Sequence, residues 1–194
     1  QWLCLPPISE FVYPEYANNI WEAIHQNGGG CDYINENILQ KCSFSGGKLH
    51  YNARSYETIL MTEMESIESQ TPKLLRKFAA AGGQVIFIGK EPHKSLGKQN
   101  ARERDEQVRT ENQLLKKDFP RNVSFFPAPQ EKILNWYSNL QLKYNLTPFV
   151  KFDKPVSHVS QVHYKSTEAD VFFISNYHLE KGHEFTATFN VKNK

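Results

Sequence analysis

The sequence predicts an α/β fold: an open, mostly parallel sheet with flanking helices, followed by antiparallel β-strands. Three observations carry that prediction. Strand and helix signals alternate over residues 1–147. The run Gln84-Val85-Ile86-Phe87-Ile88-Gly89 is nearly all apolar, as a central parallel strand buried on both faces should be. After Pro148 the residues alternate with period two and no helical period returns. The implied division is an α/β domain over 1–147 and a β-strand region over 148–194.

The elements follow in order. Trp2 to Pro6 reads as a short strand closed by Pro6-Pro7. Pro14 suits the first turn of a helix whose apolar positions are Ala17, Ile20, Trp21 and Ile24. Asn27-Gly28-Gly29-Gly30 stops that helix, and Cys31-Asp32-Tyr33-Ile34 reads as a second strand. Residues 41–56 are irregular, with a hairpin turn at Ser45-Gly46-Gly47-Lys48. Tyr56 to Met61 is a third strand. Thr71 is placed to cap a helix with Pro72 at its first position, and Leu74, Leu75, Phe78 and Ala79 form its buried stripe. Gly82-Gly83 ends it, and the apolar run from Gln84 follows. Residues 98–118 are rich in both signs of charge and poor in core residues, with Ala101, Val108, Leu114 and Leu115 free to dock. That pattern predicts a loosely attached surface helix laced by ion pairs along its own length. Asn122 to Phe126 is a fifth strand, and Pro129 opens a helix with Ile133, Trp136, Tyr137 and Leu140 on one face. Residues 159–166, 169–175 and 184–191 are the closing strands, the last two linked by a connection longer than a two-residue turn.

Composition excludes several classes of function. The 194 residues suffice for one large domain, or one domain plus an appendage. Lys+Arg 23 against Asp+Glu 21 leaves a formal charge of +2, which argues against a nucleic-acid surface. Mean hydropathy is −0.60 and no apolar stretch reaches membrane-helix length, so membrane insertion is not expected. Aromatic residues make up 13%, which argues against disorder. Cys4, Cys31 and Cys42 are too few and scattered for a disulfide framework or a zinc site. They read as buried free thiols, with a Cys31–Cys42 bridge as the alternative. The chain opens inside an apolar run without a starting Met, which reads as a piece of a longer protein; a mature chain that has lost a leader is the alternative.

No complete catalytic constellation appears. An open parallel sheet binds ligands beyond the carboxyl ends of its strands. Those edges hold Glu63, Glu65, Glu91 and His93, the candidate ligand-binding residues, whose paired carboxylates would suit acid–base work on a sugar. Solvated loop carboxylates and a surface histidine are the plainer alternative. Gly28 to Gly30 and Gly82-Gly83 sit between a helix and the next strand, where they stop helices; phosphate-binding glycines sit between a strand and the following helix. Neither strand end carries a Ser or Cys at a tight turn, and the seven histidines show no metal-ligand spacing. No catalytic residue, metal ligand or cofactor is assigned to this chain.

The order of segments resembles a known family. Cys31-Asp32-Tyr33-Ile34-Asn35 precedes Gly46-Gly47-Lys48-Leu49, and Tyr56-Glu57-Thr58-Ile59-Leu60 leads through Thr71 to Phe78 to Gly82-Gly83-Gln84-Val85-Ile86. His163-Tyr164-Lys165 and Ala169 to Asn176 complete the series. This is similar to the non-catalytic middle of large bacterial glycoside hydrolases, especially the α-L-rhamnosidase family, glycoside hydrolase family 106. Met61-Thr62-Glu63 departs from the apolar-Pro ending usual there, and Tyr164 from the basic residue that often follows the histidine. The resemblance implies a flavodoxin-like or amidotransferase-like α/β accessory domain without the amidotransferase nucleophile, followed by the first strands of a β-sandwich. It implies partners as well: the rest of a parent polypeptide with a catalytic barrel, a carbohydrate substrate, and a homo-oligomer as an option. Calcium would belong to the parent enzyme and not to this chain. A periplasmic or cell-surface location follows from the same resemblance. Two alternatives stand beside it. One is a carbohydrate-binding module with an aromatic platform drawn from Trp2, Tyr13, Trp136 or Tyr137. The other is a flavodoxin-like ligand-binding or signalling domain.

Overall fold

The computed structural model describes residues 15–191. The strand expected over Trp2 to Pro6, the helix start at Pro14, and Trp2 and Tyr13 lie outside the described residues. The chain runs α1 (Glu15–Gln26), α2 (Glu36–Leu39), β1 (Ser43–Ser45), β2 (Lys48–Tyr51), β3 (Arg54–Tyr56), β4 (Thr58–Thr62), β5 (Ser66–Ile67), α3 (Thr71–Ala80) and β6 (Gln84–Ile88). It continues through β7 (Lys94–Ser95), α4 (Ala101–Asp118), β8 (Val123–Phe126), α5 (Ile133–Lys143), β9 (Val150–Phe152), β10 (Val159–Lys165), β11 (Asp170–Asn176) and β12 (Ala187–Phe189). The architecture is broadly α/β, with a parallel sheet and separate antiparallel ribbons. The chain divides differently from the 1–147 and 148–194 split: residues 33–128 form one compact unit, and 15–32 with 129–191 form the other. The reason is that α1 packs on α5 and β10, far along the sequence.

In the unit of residues 33–128, β4, β6 and β8 form a parallel sheet with β6 in the middle. Val85, Ile86, Phe87 and Ile88 of β6 are all buried, which is why that run can be so uniformly apolar. Leu75, Phe78 and Ala79 of α3 join Val85 and Phe87 in the main core, with Val108 and Leu115 of α4. Gly46 and Gly47, at φ of +56° and +75°, make the two-residue turn joining β1 to β2. The segment expected to be irregular is instead a three-stranded antiparallel meander, β1-β2-β3. Its strands are short and Ser43, Ser45, Arg54 and Ser55 are exposed, so no apolar alternation announces them.

Two local expectations fail for nameable reasons. Cys31 to Ile34 is not a strand: Tyr33 and Ile34 are exposed, and the Asn35 side chain accepts the Ile38 amide at 2.9 Å, capping α2. Thr71 does not cap α3. Gln70 precedes the helix in right-handed conformation, and the Thr71 hydroxyl donates to the Glu36 carboxylate. That carboxylate also accepts the Glu68 amide at 2.8 Å, so Glu36 ties α2 to the start of α3.

The charged helix α4 is the largest correction. Val108 and Leu115 are fully buried, so it is not loosely attached. Arg109 pairs with Glu106 within the helix, but other charges reach out of it. Arg76 of α3 bridges Glu111 at 3.1 Å and Asp118 at 2.7 Å. A second stripe of α4 grips the segment that leaves β6. Lys116 pairs with Glu91 at 2.6 Å, and the Asn112 side-chain amide donates to the Pro92 carbonyl at 2.7 Å. Arg109 donates to the His93 carbonyl, and the Asp105 carboxylate accepts both the amide and the hydroxyl of Ser95. Arg104 donates to the carbonyls of Leu96 and Gly97. The segment thus runs antiparallel to the helix, its backbone groups met by side chains at helical spacing. Those same bonds hold the Asp105 carboxyl below its usual range, Ser95 being the main cause.

In the unit of residues 15–32 and 129–191, Ala17, Ile20, Ala23 and Ile24 of α1 are buried, whereas Trp21 is exposed and stacks on His25. Asn27 leaves the helix, donating to the Ala23 carbonyl and accepting the Ser138 hydroxyl of α5. Gly28, at φ +79°, turns its carbonyl toward the amides of Phe149 and Val150. A Cβ there would lie 1.7 Å from the Val150 oxygen, so only glycine fits. α5 begins at Ile133, not Pro129, and buries Trp136, Tyr137 and Leu140. β10 and β11 pair from Val159–Asn176 to Lys165–Asp170. β12 pairs with β9 and not with β11, which explains the long connection before it. Val150, Phe152, Val156 and Val159 form a small core backed by Phe172, Ile174, Phe185 and Ala187.

Candidate functional site

The sheet-edge residues gather where β4 and β6 end. Glu63 follows β4 at φ +52°, and its amide donates to the Ile88 carbonyl at 2.9 Å. That turn tucks its side chain in, leaving it 6% exposed. Lys90, just past β6, sits 3.8 Å from the Glu63 carboxylate and donates to Glu65 at 2.8 Å. Glu65 also faces Lys94 at 4.0 Å. The Lys90 hydrogen bond holds the Glu65 carboxyl below its usual range, and the same bond raises Lys90. Glu63 and Glu65 are therefore brought together, around a lysine. Glu91 is drawn the other way, toward α4, where it takes Lys116, while His93 stays beside Glu65 and adds to the forces that lower its carboxyl; the His93 ring meets the Glu91 carbonyl at 3.3 Å. The His93 amide donates to the Glu65 backbone, and next to it β5 and β7 pair in parallel.

Chemically this edge stores ion pairs. Acid–base work on a glycoside needs one carboxyl kept protonated near neutrality beside one kept ionised. The Lys90 ammonium favours ionisation of Glu65, so that carboxyl is a poor proton donor near neutrality.

The other unit brings together polar groups that the sequence alone did not pair. His163 Nε2 lies 2.8 Å from Asp170 across the ribbon, its ring stacked on Phe172 at 4.4 Å and 5°. The β10–β11 register is the signal that would have paired them. Trp136 and Tyr137 are each 4% exposed, so neither serves as a sugar platform. Burial, with Asp32 adding to it, pushes the Cys31 thiol up to about 12. Cys31 and Cys42 are both free and partly buried, so the bridge does not form. Among the described residues, no group of three or more His, Cys, Asp or Glu could hold a metal ion, and no helix is long and apolar enough to cross a membrane.

Two hollows remain. The larger, about 1160 Å³, is lined by residues 100–111 alone, and a surface with a single wall cannot enclose a ligand. The smaller, about 330 Å³, has walls from α1, the start of α5 and the end of the β10–β11 ribbon where Val159 pairs with Asn176. Its polar side lies at Asn19, Glu22 and Gln26, a spacing readable on α1 only once the facing segments are known. No family model, curated protein or solved structure matches this chain.

Proposed function

We propose that the chain is a non-catalytic accessory part of a glycoside hydrolase, α-L-rhamnosidase-like, that braces a catalytic barrel or an oligomer interface. The parent enzyme would act on plant or bacterial polysaccharide glycosides. The observation that carries this reading is the outward face of the β10–β11 ribbon. Val162, Tyr164, Val171 and Phe173 stand there as cross-strand neighbours, between 41% and 65% exposed. A ribbon facing only water would alternate to polar residues on that side. A contiguous apolar face of this kind suits a second sheet packed against it, as in a β-sandwich. The sheet edge of the α/β unit supports the non-catalytic part of the reading, since its carboxylates are engaged by lysines. It also weighs against the flavodoxin-like alternative, because phosphate would meet Glu63 and Glu65 where amide donors are needed.

The test is the surrounding open reading frame together with an activity assay. The expected result is several hundred codons for a barrel before Gln1, and no turnover of aryl α-L-rhamnosides by the isolated chain. A frame that opens at Gln1, or turnover by the isolated chain, overturns the proposal.

A further inference from the structure

The smaller hollow has a chemistry of its own. α1 presents Asn19, Glu22 and Gln26 to it at i, i+3 and i+7, one stripe of the helix. Facing them are His158, just before β10, and Tyr177, just after β11. The Tyr177 amide donates to the His158 carbonyl at 3.0 Å, and the two rings meet edge to face at 5.3 Å. His158 sits at φ +67°, in the left-handed region that histidine adopts more readily than most side chains. Ser157 Oγ lies 2.9 Å from its Nδ1, and the His178 ring packs on it at 4.9 Å. The Gln26 amide donates to the Tyr177 hydroxyl, which fixes both. The imidazole is thus locked, while His158 Nε2 has no partner among the described residues.

The lining decides the class of ligand. One carboxylate, Glu22, and one ammonium, Lys132, border the hollow, so a free anion or a free cation would each face a like charge. The remaining groups are two carboxamides, a hydroxyl, an imidazole and a phenol. Gln26 and Ser157 are engaged with Tyr177 and His158, which leaves the Asn19 carboxamide, the Glu22 carboxylate and the far nitrogen of the His158 ring to meet a ligand's hydroxyls. The Tyr177 ring, 45% exposed, adds a flat apolar surface. We propose that this cleft binds a neutral pyranose sugar, with Glu22 and His158 bonding its hydroxyls and Tyr177 lying against its ring. The inference does not depend on the bracing role or on the parent enzyme.

The full chain is titrated calorimetrically with methyl α-L-rhamnoside, methyl β-D-galactoside and methyl α-D-glucoside, and saturation-transfer NMR maps the bound face. At least one glycoside is expected to saturate with an affinity on the order of millimolar. Glu22→Gln alters an exposed helix position, and His158→Asn keeps a residue that tolerates the left-handed backbone. Each is expected to weaken binding about tenfold. Glu91→Gln, in the other unit, is expected to leave it unchanged. The proposal is overturned if no glycoside saturates or if both cleft variants bind like the parent chain. Saturation by glycine or acetate in place of the sugars overturns it too.

Discussion

The two units solve the same problem with different completeness. Residues 33–128 close on themselves. Leu75, Phe78, Val85, Phe87, Val108 and Leu115 are almost wholly inaccessible, and the loop leaving β6 has its backbone groups met by α4. In the other unit a smaller core, Val150 to Val159, lies beneath a ribbon whose opposite face is apolar and exposed. A parallel sheet must be covered on both sides, whereas an antiparallel ribbon may face water if its outer residues are polar. Here the outer residues are not, so the second unit is the one that asks for a neighbour.

That contrast can be broken at its strongest point first. Phe78→Ala should destabilise the 33–128 unit by about 3–5 kcal/mol, read by urea unfolding, because it empties the centre of the main core. A loss below about 1 kcal/mol would mean that this core is less tightly packed than described. Gly28→Ala should cost the other unit about 3 kcal/mol, since it adds a Cβ at positive φ against the Val150 carbonyl. An unchanged unfolding midpoint would show that α1 is not tied to β9 in this way.

The third prediction concerns alkaline pH. The Cys31 thiol ordinarily ionises at 9.0, but in the folded chain only at about 12. Its contribution to stability is complete below 9.0 and is lost as the pH climbs toward 12. Buried Tyr137 is displaced in the same direction, by burial first and then by Cys31. Cys31→Ala should therefore flatten the decline in stability between pH 9.0 and about 12, and an identical slope would refute the assignment. The smallest effect should come from Val162→Thr with Phe173→Thr. Stability should change by no more than about 0.5 kcal/mol, while binding of an apolar dye falls. Unchanged dye binding would show that this face is not the exposed apolar surface of the molecule.

Legibility in the sequence followed the physics of each signal. The run Gln84 to Ile88 announces a central strand because burial on both faces leaves no polar position to blur it. Leu75, Phe78 and Ala79 are readable for the same reason, at helical spacing. The β1–β3 meander was hidden because its strands are short and largely exposed. Cys31 to Ile34 misled because β-formers without a sheet partner still look like a strand. The position of Glu63, Glu65, Glu91 and His93 at strand ends was readable, since it needs only the strand boundaries. Their pairing with Lys90 and Lys116 was not, because Glu91 and Lys116 are separated by a turn, a β-bridge and most of a helix. The cleft beside Tyr177 was the least readable feature, because its walls come from distant segments.

The grip of α4 on residues 91–97 has a consequence in time. Its partners are side chains spaced along one helix, so they stand in line only after the helix exists. The loop is therefore expected to dock after α4 has formed, on the native side of the folding barrier. Weakening it, as with Asp105→Asn, should speed unfolding in stopped-flow experiments and leave the refolding rate almost untouched. The segment that fills the sheet edge would then be the last to close and the first to open.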